Sequence, residues 1–207
     1  MNYIELFGYP LSGKTTLIKS FDESCSIKCI LARTDKNLLR ALVLIRFLLI
    51  HRYLVLLFLR LPIRKNNLFP SLRKFLSFTA RYKDYLKLQN SSDRILIDEG
   101  LCQGIWGLLT FYDYADYKKD LPKLVKLFFD RLLINNNILV AQMPKVPLDV
   151  FERRSLKRDF HHPYIISRLN GHHDKLVIYN YCYELILIRV RDINSLITIQ
   201  DLTKYAN

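Results

Sequence analysis

Residues 8–15 constrain this chain more than any other part of its sequence. They read Gly-Tyr-Pro-Leu-Ser-Gly-Lys-Thr and match the phosphate-loop pattern G-x-x-x-x-G-K-[ST] at every specified position. Gly8 and Gly13 let the backbone bend around phosphate groups and turn its N–H groups inward. The apolar run 3–7 before the loop predicts a strand, and residues 15–21 predict a helix whose positive end faces the anion. This order of elements predicts a nucleoside-triphosphate site, with ATP as the expected nucleotide.

The polar side chains of this loop have expected tasks. Lys14 reaches the terminal phosphates, and the Thr15 hydroxyl is a ligand for Mg²⁺. The residues expected to bind the nucleotide are Gly8, Ser12, Gly13, Lys14, Thr15 and Thr16. ATP and Mg²⁺ are therefore the predicted cofactors.

A second apolar strand, at 95–97, ends on two carboxylates, Asp98 and Glu99. A phosphate-loop enzyme needs an acid at this point to hold Mg²⁺, directly or through water. We predict that Asp98 is that metal acid, and that Glu99 is a second acid near the metal or a group that polarises a nucleophile. Gln103, near the start of the following helix, is predicted to face a substrate. Five of the six glycines lie in the phosphate loop and in residues 100–107, which indicates that both segments form one site.

Strand and helix patterns alternate along the whole chain. Further strands are predicted at 26–32, 138–141 and 185–190, and helices at 71–89, about 148–158, 174–182 and from residue 195 onward. This alternation is typical of a parallel sheet covered by helices. We therefore predict an α/β three-layer sandwich around a central, mainly parallel five-stranded sheet, the P-loop NTPase fold. No repeat and no low-complexity linker interrupts residues 1–207, which are predicted to form a single domain.

With both motifs in place, the chain resembles the P-loop kinases of the nucleoside-monophosphate-kinase type, the thymidylate kinases in particular. In that family an arginine-bearing helical lid follows the fourth strand, and residues 147–158 look similar. The resemblance implies a lid at about 147–173, in which Arg154 and Arg158 lie on one helical face and stabilise charge on the transferring phosphoryl group. It also implies a helical insertion at about 38–90 on the substrate side.

The same resemblance places substrate-contacting residues after the second strand. If the acceptor is a hydroxyl group, Asp35 is the candidate general base, and if it is a phosphate, Arg33 is the candidate clamp. Arg81, on the helix before the acidic pair, is a similar candidate. Thymidylate kinases usually carry Asp-Arg where this chain has Asp98-Glu99, so the identity of the acceptor stays open.

The net charge of +13 leaves three classes of partner open: nucleic acid, an anionic membrane surface and small phosphorylated ligands. Residues 38–62 are strongly apolar, but Arg46, His51 and Arg52 interrupt the run, so a membrane-spanning helix is not expected. Two interpretations remain for this segment. It is either a buried helical pair beside the substrate cleft, or an interfacial helix that holds a basic protein on an anionic membrane.

The cysteines form neither a CxxC pair nor a zinc pattern and are expected to be free thiols in a reducing cytosol. The first ten residues lack the pattern of a signal peptide. Adjacent histidines, at 161–162 and 172–173, do not point both rings of a pair at one ion in a helix, so no metal site is predicted there. The protein is therefore expected in the cytoplasm or, in the interfacial interpretation, peripherally at the inner face of a membrane.

The leading functional hypothesis is an ATP- and Mg²⁺-dependent phosphotransferase that acts on a small-molecule acceptor: a nucleoside, a nucleotide or a sugar-like compound. One alternative is a nucleotide-dependent binding or switch NTPase that hydrolyses slowly, although the chain lacks the N-K-x-D motif of guanine-specific switches. The other is a kinase that acts on polynucleotides, which the basic charge leaves open. A homodimer is compatible with each hypothesis.

Overall fold

A parallel sheet forms the centre of the structure, a computed structural model that describes residues 3–24, 28–30, 45–60, 68–88, 93–110, 118–132, 138–147, 150, 153–154 and 173–206. Its strands are β1 (Tyr3–Phe7), β2 (Lys28–Ile30), β3 (Ile95–Ile97), β4 (Ile138–Gln142) and β5 (Leu196–Ile197). They lie in the order β2-β3-β1-β4-β5, and every neighbouring pair runs parallel. The carboxyl ends of β1 and β3, where the phosphate loop and the acidic pair follow, therefore meet at one edge of the sheet.

Helices cover both faces of this sheet. They are α1 (Lys14–Ser24), α2 (Arg52–Leu59), α3 (Leu68–Leu88), α4 (Leu101–Leu109), α5 (Leu121–Arg131), α6 (His173–Asp192) and α7 (Ile199–Ala206), and residues 45–50 are helical as well. Ile4 and Leu6 of β1 pack with apolar residues of α1 and α7, whereas Tyr3 and Phe7 pack with α2 to α6 on the opposite face. The α/β class, with a parallel sheet between layers of helices, is thus confirmed.

One predicted strand is wrong, because residues 185–190 lie inside α6. The buried residues of this helix recur at intervals of three and four: Tyr179, Cys182, Tyr183, Ile186, Leu187 and Val190. A six-residue apolar run fits a buried helix as well as a strand, and its periodicity cannot separate the two. The strand at the outer edge beside β4 is the two-residue β5, and the last helix begins at Ile199 rather than at residue 195.

The part of the predicted insertion that the structure describes, 45–60 and 68–88, is helical except at residues 51 and 60. α3 confirms the helix expected at 71–89. The inner side of α2 is buried at Leu54, Leu57 and Phe58, and the Phe58 ring packs on Phe75 of α3 with the ring centroids 4.5 Å apart. Among the described helices, none has the length and apolar character that crossing a bilayer requires.

Candidate nucleotide-binding site

The turn between β1 and α1 has the backbone of a phosphate-binding loop. Gly13 has a φ of 96°, in the left-handed region that favours glycine, and Leu11 lies in the same region with a φ of 62°. Left-handed residues in such a turn let successive N–H groups converge on an anion. Because α1 begins at Lys14, its positive N-terminus faces the same place. The predicted loop therefore has the left-handed residues and the helix N-terminus that are typical of an anion-binding turn.

Lys14 folds back over the loop. Its Nζ donates hydrogen bonds to the carbonyl oxygens of Gly8, at 2.7 Å, and Tyr9, at 3.1 Å, and the side chain is buried. Burial lowers the pKa of Lys14 to about 8, while the neighbouring carboxylates of Glu99 and Asp98 act in the opposite direction. The ammonium group is therefore held between the phosphate loop and the acidic pair.

Ser12 has a buried hydroxyl oxygen with no hydrogen-bond partner within the part of the chain that the structure describes. Leaving a buried polar atom unpaired costs roughly 1–3 kcal/mol, so such an atom in a phosphate loop indicates a place for a ligand. Phosphate oxygens accept hydrogen bonds from hydroxyl, ammonium and backbone N–H groups, and this loop offers all three. The residues present therefore fit the triphosphate of ATP. Of the other residues predicted to bind the nucleotide, Thr15 is partly buried and Thr16 is exposed.

Aromatic side chains support the loop from the core. The Tyr9 ring lies 4.6 Å from Tyr183 of α6 and 5.3 Å from Trp106 of α4, measured between ring centroids. The Tyr9 hydroxyl donates to Oδ1 of Asn180 at 2.7 Å, and the buried Trp106 donates from Nε1 to the carbonyl of Tyr179 at 3.0 Å. Contacts with α4 and α6 thus fix the position of Tyr9 in the phosphate loop.

The carboxyl end of β3 brings the acidic pair to the loop. Asp98 is buried, and Glu99 accepts a hydrogen bond at Oε2 from Nη2 of Arg81 on α3, with 2.5 Å between the two atoms. Magnesium is usually held by one or two carboxylates together with phosphate oxygens, so Asp98 and the Thr15 hydroxyl fit the predicted ion. The described residues contain no group of three or more His, Cys, Asp or Glu side chains that would form a metal site without the nucleotide.

Sequence analysis missed one carboxylate of this site, Glu5 on β1. It is fully buried, and its carboxylate oxygens accept hydrogen bonds from the backbone N–H groups of Cys102, at 3.0 Å, and Gln103, at 2.8 Å. These N–H groups belong to the first turn of α4 and have no acceptor within the helix. Gly100 allows the close approach, because a Cβ there would lie 2.5 Å from the Glu5 carboxylate carbon. Glu5 thus fixes the turn that carries the acidic pair, and the signal for it was a lone acid within an apolar strand.

Glu5 should give the stability of the protein a distinct pH dependence. Burial raises the pKa of Glu5 from its ordinary value of 4.5 to about 7, against the opposing effect of the hydrogen bonds from Gln103 and Cys102. Between these pH values the folded state retains a proton that the unfolded state has lost, so stability decreases as the pH rises. We expect Glu5 to lower the free energy of unfolding by about 3 kcal/mol over this interval.

Urea unfolding of the wild type and Glu5→Gln at a series of pH values measures this contribution. The glutamine variant keeps the side-chain size but cannot ionise, so its stability should lack that decrease. Glu184→Gln on α6, where the glutamate is only partly buried, is the matched control. Identical pH profiles for the wild type and Glu5→Gln would contradict the prediction.

The lid region contributes a cation to the loop. Arg154 is exposed, and its Nη1 donates a hydrogen bond of 2.6 Å to the carbonyl oxygen of Leu11. The same nitrogen would lie 3.9 Å from a Cβ placed on Gly13. The guanidinium therefore lies at the mouth of the phosphate loop, where it can approach the terminal phosphate of a bound nucleotide.

The sequence predicts that Arg154 stabilises charge on a transferring phosphoryl group. Under that hypothesis, Arg154→Ala lowers the kcat of phosphoryl transfer by about 10²-fold, because one hydrogen-bond donor to the charge that develops in the transition state is lost. Steady-state kinetics of the wild type, Arg154→Ala and Arg153→Ala test this. Arg153 is the adjacent exposed arginine and serves as the matched control. Equal kcat values for the two variants would show that the contact with Leu11 has no catalytic consequence.

The substrate-side residues are only partly described. Gln103 on α4 has a side-chain oxygen that is buried and lacks a hydrogen-bond partner among the described residues, which suits a group that faces a ligand. Three other predicted site residues lie outside the described residues: Arg33, Asp35 and Arg158. The same holds for His161, His162 and His172. The predictions for all of these positions stay predictions.

Comparison with known proteins gives one structural likeness. No protein-family model matches the chain, and no curated protein matches it. Among solved structures, the chain is similar to that of deoxyadenosine kinase from M. mycoides with bound dATP, with a TM-score of 0.53. The sequences are 15% identical, and the likeness covers 95% of this chain and 90% of that one. This likeness shows that the chain shares the α/β fold of that structure.

Proposed function

We propose that this chain is a phosphotransferase that moves the terminal phosphoryl group of ATP to a small, nucleoside-like acceptor. The observation that carries the proposal is that Asp98 and Arg154, from two separate parts of the chain, approach the phosphate loop and its Lys14. Nucleotide binding alone needs the loop and its lysine. Phosphoryl transfer also needs an acid for the metal and cations around the terminal phosphate, because its catalysis rests on positioning and charge stabilisation.

The donor side of the proposed reaction uses the loop and the lid. An oxygen of the acceptor bonds to the γ-phosphorus, the bond from that phosphorus to the β–γ bridging oxygen breaks, and ADP leaves. Lys14, the Ser12 hydroxyl and the loop N–H groups bind the phosphates, and Arg154 offsets the charge on the γ-phosphate oxygens. Asp98 and Thr15 would hold Mg²⁺, which supplies further charge neutralisation when it is bound.

The acceptor side is formed by α3 and the start of α4. Arg81, held by Glu99, and the unpaired side-chain oxygen of Gln103 offer a donor and an acceptor of hydrogen bonds there. A hydroxyl acceptor must lose its proton, and Asp35 is the candidate base for that proton. The structural neighbour is named as a deoxyadenosine kinase, which supports a nucleoside-like acceptor. The Asp98-Glu99 pair separates this chain from the usual thymidylate-kinase pattern, so thymidylate is not the acceptor that we favour.

Transfer of labelled phosphate from ATP to a panel of acceptors tests the proposed function. The panel contains nucleosides, nucleoside monophosphates, sugars and a 5′-hydroxyl oligonucleotide, and chromatography identifies the labelled product. We expect transfer to at least one nucleoside or nucleotide, with a requirement for Mg²⁺. Release of inorganic phosphate at the same rate with and without every acceptor would contradict a kinase and favour the slow NTPase.

The polynucleotide alternative predicts a different pattern. Labelling of the oligonucleotide alone, together with binding that weakens steeply as salt increases, would identify a kinase that acts on nucleic acid. A small acceptor contacts few cations, so its KM should change little with salt. The salt dependence of KM therefore separates these two functions even if both kinds of acceptor are labelled.

A further inference from the structure

An apolar face is exposed on the helical residues 45–50 and on α2. Among the described residues, nine large hydrophobic side chains are exposed, and six of them lie in this short stretch. They are Ile45, Leu49, Ile50, Val55, Leu56 and Leu59. Leu49, Ile50 and Leu59 are each more than 65% exposed, so they contribute little to the core. We call these six residues, together with Arg46, Arg52 and Arg60, the outer face of 45–60.

The outer face belongs to helices whose other side is well packed. In α2 the exposed positions 55, 56 and 59 alternate with the buried Leu54, Leu57 and Phe58, which is the pattern of a helix with two distinct apolar sides. On the inner side, the hydroxyl groups of Tyr53 and Tyr82 lie 2.7 Å apart, which joins α2 to α3. Leu56 and Leu59 are therefore exposed because α2 is anchored through its other side. An exposed apolar surface of this kind usually marks an interaction site.

The charged residues of the segment 45–60 are all basic. Arg46, Arg52 and Arg60 are exposed and alternate along the sequence with its exposed apolar residues. From residue 36 to residue 83 the sequence contains no aspartate or glutamate, although lysine and arginine recur throughout. An apolar surface with arginines and without carboxylates is complementary to an anionic lipid surface, where the apolar side chains enter the acyl boundary and the arginines meet phosphate groups.

We propose that the outer face of 45–60 docks this protein onto an anionic lipid bilayer. A second copy of the chain is a poorer occupant, because a two-fold interface at this face would bring its three arginines against the same three arginines. The docking is peripheral, with the helices lying in the plane of the lipid headgroups. This function goes beyond phosphoryl transfer and does not depend on it.

The helix that carries part of the outer face packs against the helix that carries Arg81. α2 contacts α3 through Tyr53 and Tyr82, and the neighbouring Arg81 of α3 pairs with Glu99 at the nucleotide site. A protein docked by its outer face would therefore lie on the membrane through a helix that is packed against α3. Bilayer binding would place the enzyme next to acceptors that occur at the membrane surface.

Vesicle co-sedimentation of the full chain tests the proposal. The vesicles consist of phosphatidylcholine alone or of phosphatidylcholine mixed with phosphatidylglycerol. We expect binding to the anionic vesicles, weak or no binding to the neutral ones, and weaker binding in high salt. The variant Leu49→Asn/Leu56→Asn/Leu59→Asn should lose at least about tenfold in affinity, because its apolar contact with the acyl boundary is removed. Replacing Arg46, Arg52 and Arg60 by glutamine should cost about fivefold for each arginine.

Two matched controls make the result specific. Val177→Asn/Ile188→Asn changes the exposed apolar residues of α6, and Lys118→Gln/Lys119→Gln/Lys123→Gln removes exposed charges elsewhere. Both control variants should bind anionic vesicles as the wild type does, and thermal melting verifies that every variant is folded. Absence of wild-type binding, or equal losses in the control variants, would overturn the proposal. A wild-type dimer that the leucine variant converts to a monomer, without vesicle binding, would identify a second copy as the occupant instead.

Discussion

Replacing Lys14 by methionine is expected to lower kcat/KM for ATP by about 10²- to 10³-fold. Methionine keeps an unbranched apolar side chain, but the ammonium group that lies over the loop is lost. In the structure that group is held by the carbonyl oxygens of Gly8 and Tyr9, so it is already positioned where phosphates would bind. Steady-state kinetics with varied ATP, once an acceptor is found, measure the loss. ATP binding by isothermal calorimetry gives a readout that needs no acceptor.

The control for this experiment is Lys19→Met on the same helix, where the lysine is exposed. It should leave both kinetics and ATP affinity close to those of the wild type. The pH dependence adds a second readout, because burial holds the pKa of Lys14 at about 8. Wild-type affinity for ATP should decrease as the pH rises through about 8, since the ammonium loses its charge, whereas Lys14→Met should show no such decrease. A methionine variant that binds ATP as tightly as the wild type would contradict the assigned role.

The parts of the candidate site that are continuous in the chain could be predicted from the sequence. The phosphate loop is specified by residues 8–15 alone, and the acidic pair follows directly from the end of an apolar strand, so both predictions needed no structure. Parallel-sheet topology then brings these two segments to one edge, as the alternation of strands and helices predicted. Local sequence patterns were sufficient to predict the two segments. The rule that parallel strands end at one edge of the sheet was sufficient to predict that they lie close together.

The contacts between distant segments could not be derived in the same way. Glu5 caps α4 across nearly a hundred residues of sequence, and a lone acid in a strand carries no signal that names its partner. The Arg81–Glu99 pair and the hydrogen bond from Arg154 to Leu11 likewise depend on how helices dock on the sheet. The error at 185–190 has a related cause, because tertiary burial decides whether a short apolar run becomes a strand or part of a helix.

The two acids of the pair should have different functions, although they are adjacent in sequence. Asp98 is buried and is proposed to hold the metal, whereas Glu99 is half-exposed and accepts a hydrogen bond from Arg81, which we place on the proposed acceptor side. We expect Asp98→Asn to lower kcat by about 10²-fold or more and to raise the Mg²⁺ concentration needed for half-maximal activity, because the charged ligand of the ion is lost. Glu99→Gln should instead raise the KM for the acceptor, because Arg81 loses its carboxylate partner.

Titration of activity with Mg²⁺ and with acceptor, for both variants, distinguishes these functions. Asp93→Asn, at an exposed aspartate before the opposite end of β3, is the control for a loss of one negative charge. Since Asn matches Asp and Gln matches Glu in size, the variants change charge with little change in packing. If Asp98→Asn leaves the Mg²⁺ requirement unchanged while Glu99→Gln shifts it, the metal acid is Glu99. The Arg81 contact would then hold that acid in place, and the acceptor would have to bind elsewhere along α3 or α4.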